Sequence, residues 1–414
     1  MVTNPIYDPY QILVKIYSGG AHIKQAIADT YIEEQHRART VKIVYGVLEK
    51  EEYLQFCIAH YAKKAPKLAV RIVLKIALYM LIFMDKKRYM VTDFAVELCK
   101  KLGKSAVSGL VNAILRRFDK AEVDSALKTQ KDSESIALCY PEFALQMLKK
   151  EYGNERAKAI ATATSAGVSV RFVKGEKAYL EKPHTVTPFS GKYGNYIFEN
   201  FVRDEGFDNG LYTFQSVGSI AICDVVAPCE NLLDACAAPG GKSVLLAGKC
   251  KRVTSFELHE HRVALIEAYK ARMHVDNVQA LQKDSSILDS EYLSAFDGVL
   301  CDVPCSGFGT VSENPDIKLN KSAEDIRALG KPQRAILSAC SQYVKDKGCL
   351  YYSTCSVFAE ENDNVVEWFL KRNPEFTLEG IDSPLPHEKK KYGLQFLPDR
   401  AFGAGFYVCK LRKK

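Results

Sequence analysis

The sequence predicts two architectures in one chain: an all-α N-terminal domain and an α/β C-terminal domain built on a doubly wound, Rossmann-like, mainly parallel sheet. Three observations predict this. Over residues 1–130 apolar residues recur at helical spacing while Gly and Pro are sparse. Over 211–414 short apolar runs alternate with helical segments, the pattern of a parallel sheet with helices on its faces. Residues 131–210 fit neither pattern and read as a linker followed by a small α/β spacer subdomain.

Within 1–130, Val41, Val44, Tyr45 and Leu48 mark one helix, and Val107, Leu110, Val111, Ile114 and Leu115 another, with Ser105 placed as its N-cap. The longest apolar run, Ile76 to Met84, is too short to span a membrane and reads as a core helix. Lys128 to Ser135 is charged and poor in apolar residues, a linker pattern. A helix over Pro141 to Tyr152 and a strand over Val168 to Val173 are expected in the spacer. In the last segment, strands are expected at 231–235, 252–256, 278–282, 298–301 and 349–352, with helices over 243–248 and 261–273 between them.

Composition narrows the class. The 414 residues are 47% hydrophobic and 26% charged, an ordinary globular balance. Of the net charge of +7, residues 1–128 carry 21 Lys and Arg against 13 Asp and Glu, so the helical half alone is basic. Such a face suits either a polyanion partner or a solubilising helical surface. Thirteen Cys occur with no Cys-x-x-Cys spacing, which predicts free thiols in a reducing cytoplasm and no metal. The first ten residues hold Asn, Asp and two Pro, unlike a secretory signal.

Ligands of such sheets sit at the carboxyl ends of the strands, so the residues just past each strand are the candidates. After the first strand comes Asp234, Ala235, Cys236, Ala237, Ala238, Pro239, Gly240, Gly241, Lys242 and Ser243. Small residues and paired glycines allow close approach of backbone to ligand. A phosphate-binding Walker loop needs a further glycine where Cys236 stands, which disfavours ATP hydrolysis. The second strand runs to Glu257, 23 positions after Asp234, where a carboxylate can meet a ribose diol or simply open a helix. The third is followed by Asp284, either an acceptor for an adenine edge or a helix cap. Three acidic strand ends together point to an adenosyl ligand. The fourth strand ends in Asp302-Val-Pro-Cys305-Ser-Gly and the fifth in Ser353-Thr-Cys355-Ser, each placing a thiol at a strand-end loop. Cys139, Cys223 and Cys340 read instead as small buried hydrophobes.

These motifs carry a resemblance. Residues 235–242, 302–307, Asn314-Pro-Asp-Ile-Lys318, and Ser353 to Ser356 with Glu361-Asn362 resemble the NOL1/NOP2/Sun family of RNA cytosine-5 methyltransferases. Val44 to Leu48, Leu74 to Leu81 and Gly109 to Phe118 resemble a NusB-type RNA-binding domain, a combination similar to the bacterial Sun/Fmu branch. The resemblance covers nearly the whole chain. It implies S-adenosylmethionine as cofactor, held by Cys236 to Lys242, Glu257, Asp284 and Asp302. It implies Cys355 as nucleophile, Cys305 as the thiol assisting product release, Asp302 beside the cytosine, and Lys242 as an orienting group. Small-subunit ribosomal RNA is the implied partner; no membrane is implied, and a monomer is expected. The chemistry suits a thiolate: its addition at carbon 6 of cytosine makes carbon 5 enamine-like and able to attack a methyl sulfonium.

The chain departs from the family pattern at Ser216, where Asp is usual after Gln, at Ser312-Glu313, where basic residues are usual, and at Ala404, where Asp is usual. Those departures motivate a rival from another class, an RNA-binding ribosome-assembly factor with a decayed methyltransferase domain. A DNA cytosine methyltransferase would use a Pro-Cys nucleophile. Pro304-Cys305 is present, but Thr354-Cys355 and the NusB resemblance favour RNA.

Overall fold

The computed structural model describes residues 4–319 and 321–414. The chain forms two compact units. One holds the residues up to Ala161 together with Asn314–Lys321, the other Thr162–Glu313 and Ser322–Lys414.

The first unit is helical: α1 (Tyr7–Gly19), α2 (Ile23–Ala28), α3 (Glu34–Glu49), α4 (Glu51–Tyr61), α5 (Leu68–Phe83) and α6 (Arg88–Lys101). It continues through α7 (Ser105–Arg117), α8 (Lys120–Leu127), α9 (Ser133–Leu138), α10 (Glu142–Tyr152) and α11 (Asn154–Ala161). The expected core helix is α5, apolar on nearly every side, with Val70 and Ile72 to Met80 all buried. Its Lys75 is buried too, paired with Glu51 and 4.7 Å from the ring centre of Tyr17. Gly46 of α3 packs so closely on Tyr79 that a Cβ would fall 1.9 Å from the ring, so the two resembling motifs meet there. The helix expected near 105 is α7, but its N-cap is Lys104. Ser105 is its first residue and makes no cap, because it already lies within the helix and a capping side chain must come from the flanking residue before it.

The helical unit runs on to Ala161, past the boundary expected at 130, because the 128–135 segment is only partly a linker. Its Ser133 to Ser135 begin α9, with Ser135 buried, and the Ile136 and Cys139 side chains join the helical core. The unit also takes in the Asn-Pro-Asp-Ile-Lys segment. Lys318 is buried there and donates to the carbonyls of Cys139 at 2.6 Å and Glu49 at 3.0 Å. Lys63, Lys64, Lys86, Lys87, Lys100, Lys101, Arg116 and Arg117 are exposed.

The second unit begins with a four-stranded antiparallel sheet of β1 (Val168–Phe172), β2 (His184–Val186), β3 (Asn195–Phe198) and β4 (Tyr212–Phe214), ordered β2-β3-β1-β4. Two one-turn helices, α12 (Ser190–Tyr193) and α13 (Glu205–Asp208), connect its strands. Then follow α14 (Val217–Val225), β5 (Asn231–Asp234), α15 (Gly241–Ala247), β6 (Arg252–Glu257), α16 (Glu260–Arg272) and β7 (Val278–Gln282). The unit closes with β8 (Phe296–Asp302), α17 (Ala323–Ser341), β9 (Val344–Thr354), α18 (Asp363–Leu370), β10 (Phe376–Glu379), β11 (Glu388–Lys389), β12 (Leu394–Phe396) and β13 (Phe406–Lys413).

The large sheet has the order β11-β12-β13-β9-β8-β5-β6-β7. Strands β5 to β9 pair in parallel, as expected. The C-terminal strands were not foreseen: β13 runs antiparallel to β9, and β10 and β12 pair with it. Strand order reverses between β5 and β8, which opens the crevice where ligands of such sheets bind. Apolar residues fill both faces, Leu232, Ile220 and Leu246 on one side and Leu233, Leu337 and Val365 on the other. Among the described residues no helix is long and apolar enough to cross a membrane.

Candidate active site

The candidate residues of β5, β6 and β8 gather at the carboxyl ends of these strands. Asp234 ends β5 and is fully buried. Its Oδ2 accepts from Ser243 Oγ at 2.7 Å, and Ser243 in turn accepts from Ser255 of β6 at 2.9 Å. Its Oδ1 is buried and has no hydrogen-bond partner among the described residues. Burial pushes the carboxyl up to about 6, against the opposing Ser243 bond. The glycine turn leaves β5 through a cis Ala238–Pro239 peptide. Ala237 N–H donates to the Phe256 carbonyl at 3.0 Å, which stitches the turn to β6. Gly240 has φ +104, and a Cβ there would press on Ile266 at 3.2 Å, so both backbone and space call for glycine.

Glu257 ends β6. It is buried, accepts from His259 N–H at 3.2 Å and faces Arg262 Nη1 at 3.4 Å. Asp284 follows β7 and is exposed, its Oδ1 accepting from the Ser286 amide and hydroxyl. The neighbouring Ser285 hydroxyl donates to the Ala235 carbonyl at 2.5 Å, so this turn lies against the end of β5.

Asp302 ends β8. Lys242 Nζ lies 2.7 Å from its Oδ2, and Ser353 of β9 donates to its Oδ1 at 2.7 Å. Burial pulls the Lys242 ammonium down, but the Asp302 carboxylate outweighs it and holds the group above its ordinary range. Both side chains are mostly buried, 16% and 20% exposed. Lys242 also stands 6.0 Å from the ring centre of Phe406.

The two singled-out thiols converge. Cys305 Sγ and Cys355 Sγ are 3.0 Å apart although 50 positions separate them, and the Cys355 N–H donates to Cys305 Sγ at 3.2 Å. Both are half-buried, whereas Cys139, Cys223 and Cys340 are buried as expected. The hydrogen bond to the Cys355 sulfur, then burial, push the Cys305 thiol well above its usual range. Adjacent parallel pairing of β8 and β9 causes the convergence, with Asp302 opposite Ser353.

Sequence reasoning missed several partners. Gln333 on α17 donates to the Pro304 carbonyl at 3.0 Å; nothing in its helical surroundings marks it. Gln395 on β12 donates to the carbonyls of Ser356 and Phe406. Gln215 links β1 to the glycine turn, accepting from Arg171 Nε at 2.7 Å and donating to the Gly241 carbonyl at 3.1 Å. The departures from the family pattern have local duties. Ser216 caps α14, Ser312 donates to the Gly403 carbonyl at 3.0 Å, and Ala404 is buried in the core.

Against known proteins, the chain matches the family model for 16S rRNA methyltransferase RsmB/F over residues 225–412 and the NusB family model over 10–120. It is 30% identical to the ribosomal RNA small subunit methyltransferase B of Pasteurella multocida (strain Pm70), over 97% of this chain and 94% of that one. It is 28% identical to the probable ribosomal RNA small subunit methyltransferase B of Bacillus subtilis (strain 168), over 98% and 97%. The crystal structure of PH0851 superposes with a TM-score of 0.85 at 20% identity, covering 100% of this chain and 99% of that one. NSun6 from Pyrococcus horikoshii gives 0.59 at 19% identity, over 66% and 98%. At these identities the two structures establish the fold.

Proposed function

The chain belongs to the ribosomal RNA small subunit methyltransferase B family, and from that premise we propose that it methylates carbon 5 of a cytosine in small-subunit ribosomal RNA, with Cys355 as nucleophile and S-adenosylmethionine as donor. The observation that carries the reading is the contact of the Cys305 and Cys355 sulfurs at 3.0 Å, just past the ends of β8 and β9, where Asp302 of β8 also pairs with Lys242 of α15.

The residues present fit the donor. The buried Oδ1 of Asp234 is an acceptor without a partner among the described residues. A Cβ on Gly241 would meet no described atom nearer than 3.7 Å, so the turn leaves room beside its backbone, and Glu257 offers a strand-end carboxylate for a ribose. Cys236 to Lys242, Glu257, Asp284 and Asp302 would hold it. Once bound, the group supplies an electrophilic methyl on a positively charged sulfur.

The chain's own residues do the rest. Cys355, deprotonated, adds to carbon 6 of the ring, and the carbon 5–carbon 6 electron pair becomes nucleophilic at carbon 5. Asp302, held by Lys242 and Ser353, accepts hydrogen bonds from the ring's N4 and from N3 once it is protonated. After methylation, carbon 5 loses its proton to a base, the double bond re-forms, and the carbon–sulfur bond breaks. Cys305, kept as a thiol, donates to the departing Cys355 sulfur and eases its release. The exposed Lys and Arg residues of the helical unit supply phosphate contacts to structured RNA, and the target base is received out of its stack.

Bisulfite mapping of small-subunit ribosomal RNA, with and without the protein, tests the reading. One cytosine should become protected with the wild type and none with Cys355→Ala, while cofactor affinity persists. Full turnover by the alanine variant removes Cys355 from its role.

A further inference from the structure

The Glu361 carboxylate is fully buried, and among the described residues its hydrogen-bond donors are neutral. Its Oε1 accepts from the Ser306 amide at 2.7 Å and from Gln333 Nε2 at 3.1 Å. Its Oε2 accepts from the hydroxyls of Ser306 and Ser356, each at 2.5 Å. Ser306 follows Cys305 and Ser356 follows Cys355, so one side chain grips the residue after each thiol. Burying a carboxylate without a cation is costly, and a neutral filler would serve better if only shape mattered. A carboxylate offers what four converging donors need, two oxygens that only accept. The next residue braces the same strand end: Asn362 accepts from Thr354 Oγ1 at 2.6 Å and donates to the Ser356 carbonyl at 3.1 Å.

We infer that Glu361 is a positioning residue, whose buried carboxylate ties the Cys305 loop to the end of β9 and holds the two sulfurs in contact. The catalytic consequence rests on the reaction proposed above; the geometric claim does not. A fixed negative charge beside the pair also disfavours a second anion on Cys305, in keeping with the upward push on that thiol from its Cys355 hydrogen bond, from burial and from nearby charge.

Two readouts on Glu361→Gln and Ser356→Ala in the full chain test this. The first needs no RNA. Protein is equilibrated in buffers of glutathione and glutathione disulfide, quenched in acid, and the Cys305–Cys355 disulfide is quantified by peptide mass mapping. Each oxidation forms one protein S–S bond as glutathione disulfide is reduced to two glutathione thiols. At half-oxidation the square of the glutathione concentration divided by that of glutathione disulfide gives the effective concentration of one thiol at the other. Glu361→Gln should lower it at least tenfold, and Ser356→Ala, which removes one donor and leaves the carboxylate in place, severalfold. The second readout is methyl transfer: kcat should fall at least thirtyfold in Glu361→Gln with KM for RNA within threefold, and the rising limb of the pH profile should move to lower pH. An unchanged effective concentration in both folded variants overturns the inference. So does a loss of kcat that merely tracks a loss of thermal stability. If the wild type transfers no methyl group, the reaction reading fails by itself, and the disulfide measurement still decides the role of Glu361.

Discussion

Replacing Gly309 by alanine would put a Cβ 1.9 Å from the Gly405 carbonyl oxygen, 2.5 Å from its carbonyl carbon and 2.8 Å from the Cys355 carbonyl oxygen. All three neighbours are backbone, so no side chain can rotate away. Gly309 does not have a positive φ, so the demand is for space, not for an unusual dihedral angle. Relief to an ordinary contact requires a displacement of roughly 1.5 Å between the loop after Cys305 and the chain around Cys355 and Gly405. Two hydrogen bonds stitch that contact, Gly309 N–H to the Cys355 carbonyl at 2.9 Å and Gly405 N–H to the Gly309 carbonyl at 2.7 Å. Overpacking of this kind costs about 1–3 kcal/mol, and weakening the two bonds adds about 1 kcal/mol. A shift near 1 Å in the reacting groups also costs on the order of a hundredfold in rate. Gly309→Ala should therefore lose about 2–4 kcal/mol in urea unfolding and about a hundredfold in kcat, measured by transfer of a tritiated methyl group to RNA. Cofactor affinity by calorimetry should hold within twofold. Gly380→Ala, where a Cβ meets nothing within 4 Å, is the matched control and should change neither quantity. Turnover within threefold of wild type with an unshifted unfolding midpoint would refute the reasoning.

Three further outcomes follow from the site and the strand edge. Cys305→Ala should accumulate a covalent protein–RNA adduct, seen as a slow band on a denaturing gel; free protein after incubation with RNA and cofactor would contradict the release role. Lys242→Met leaves the mostly buried Asp302 carboxylate without its cation and should cost about 2–3 kcal/mol at pH 7, read from the urea midpoint. An unmoved midpoint would show the pair to be worth nothing. Glu379 accepts from Arg412 at 2.6 Å and Lys410 at 2.5 Å; the Arg412 bond above all holds its carboxyl down at about 2, against some burial. Because the folded value is depressed, the stabilisation is full above the ordinary value of 4.5 and is lost as pH falls towards 2. After discounting for solvent screening, Glu379→Gln should cost about 1 kcal/mol at pH 7 and nothing near pH 2, so a constant difference across that range would count against it.

Much of the site was legible in the sequence because parallel sheets put chemistry at strand ends. Once β5, β6, β8 and β9 were located by their apolar runs, Asp234, Glu257, Asp302 and the thiols at 305 and 355 became candidates by position alone. Glu361 and Asn362 were visible as part of a resembling motif, but their hydrogen bonds were not. Gln333 lies mid-helix and Gln395 lies in a three-residue strand, and neither place carries a local signal. The C-terminal strands were missed for a related reason. The two-residue β11 and three-residue β12 are too short to show an alternation, and β13 is buried over most of its length.

By itself the sequence determined the two fold classes, the parallel strand succession and the residue types at each strand end, because helix and strand periods repeat every few residues and need no distant partner. Only tertiary structure decided which strands lie side by side. That choice brings sulfurs 50 positions apart into contact, sets Gly309 against Gly405, and seats Lys318 under carbonyls 179 and 269 positions away in the helical unit. Contacts of that range come from sheet order and the filling of a core, and no local period encodes either.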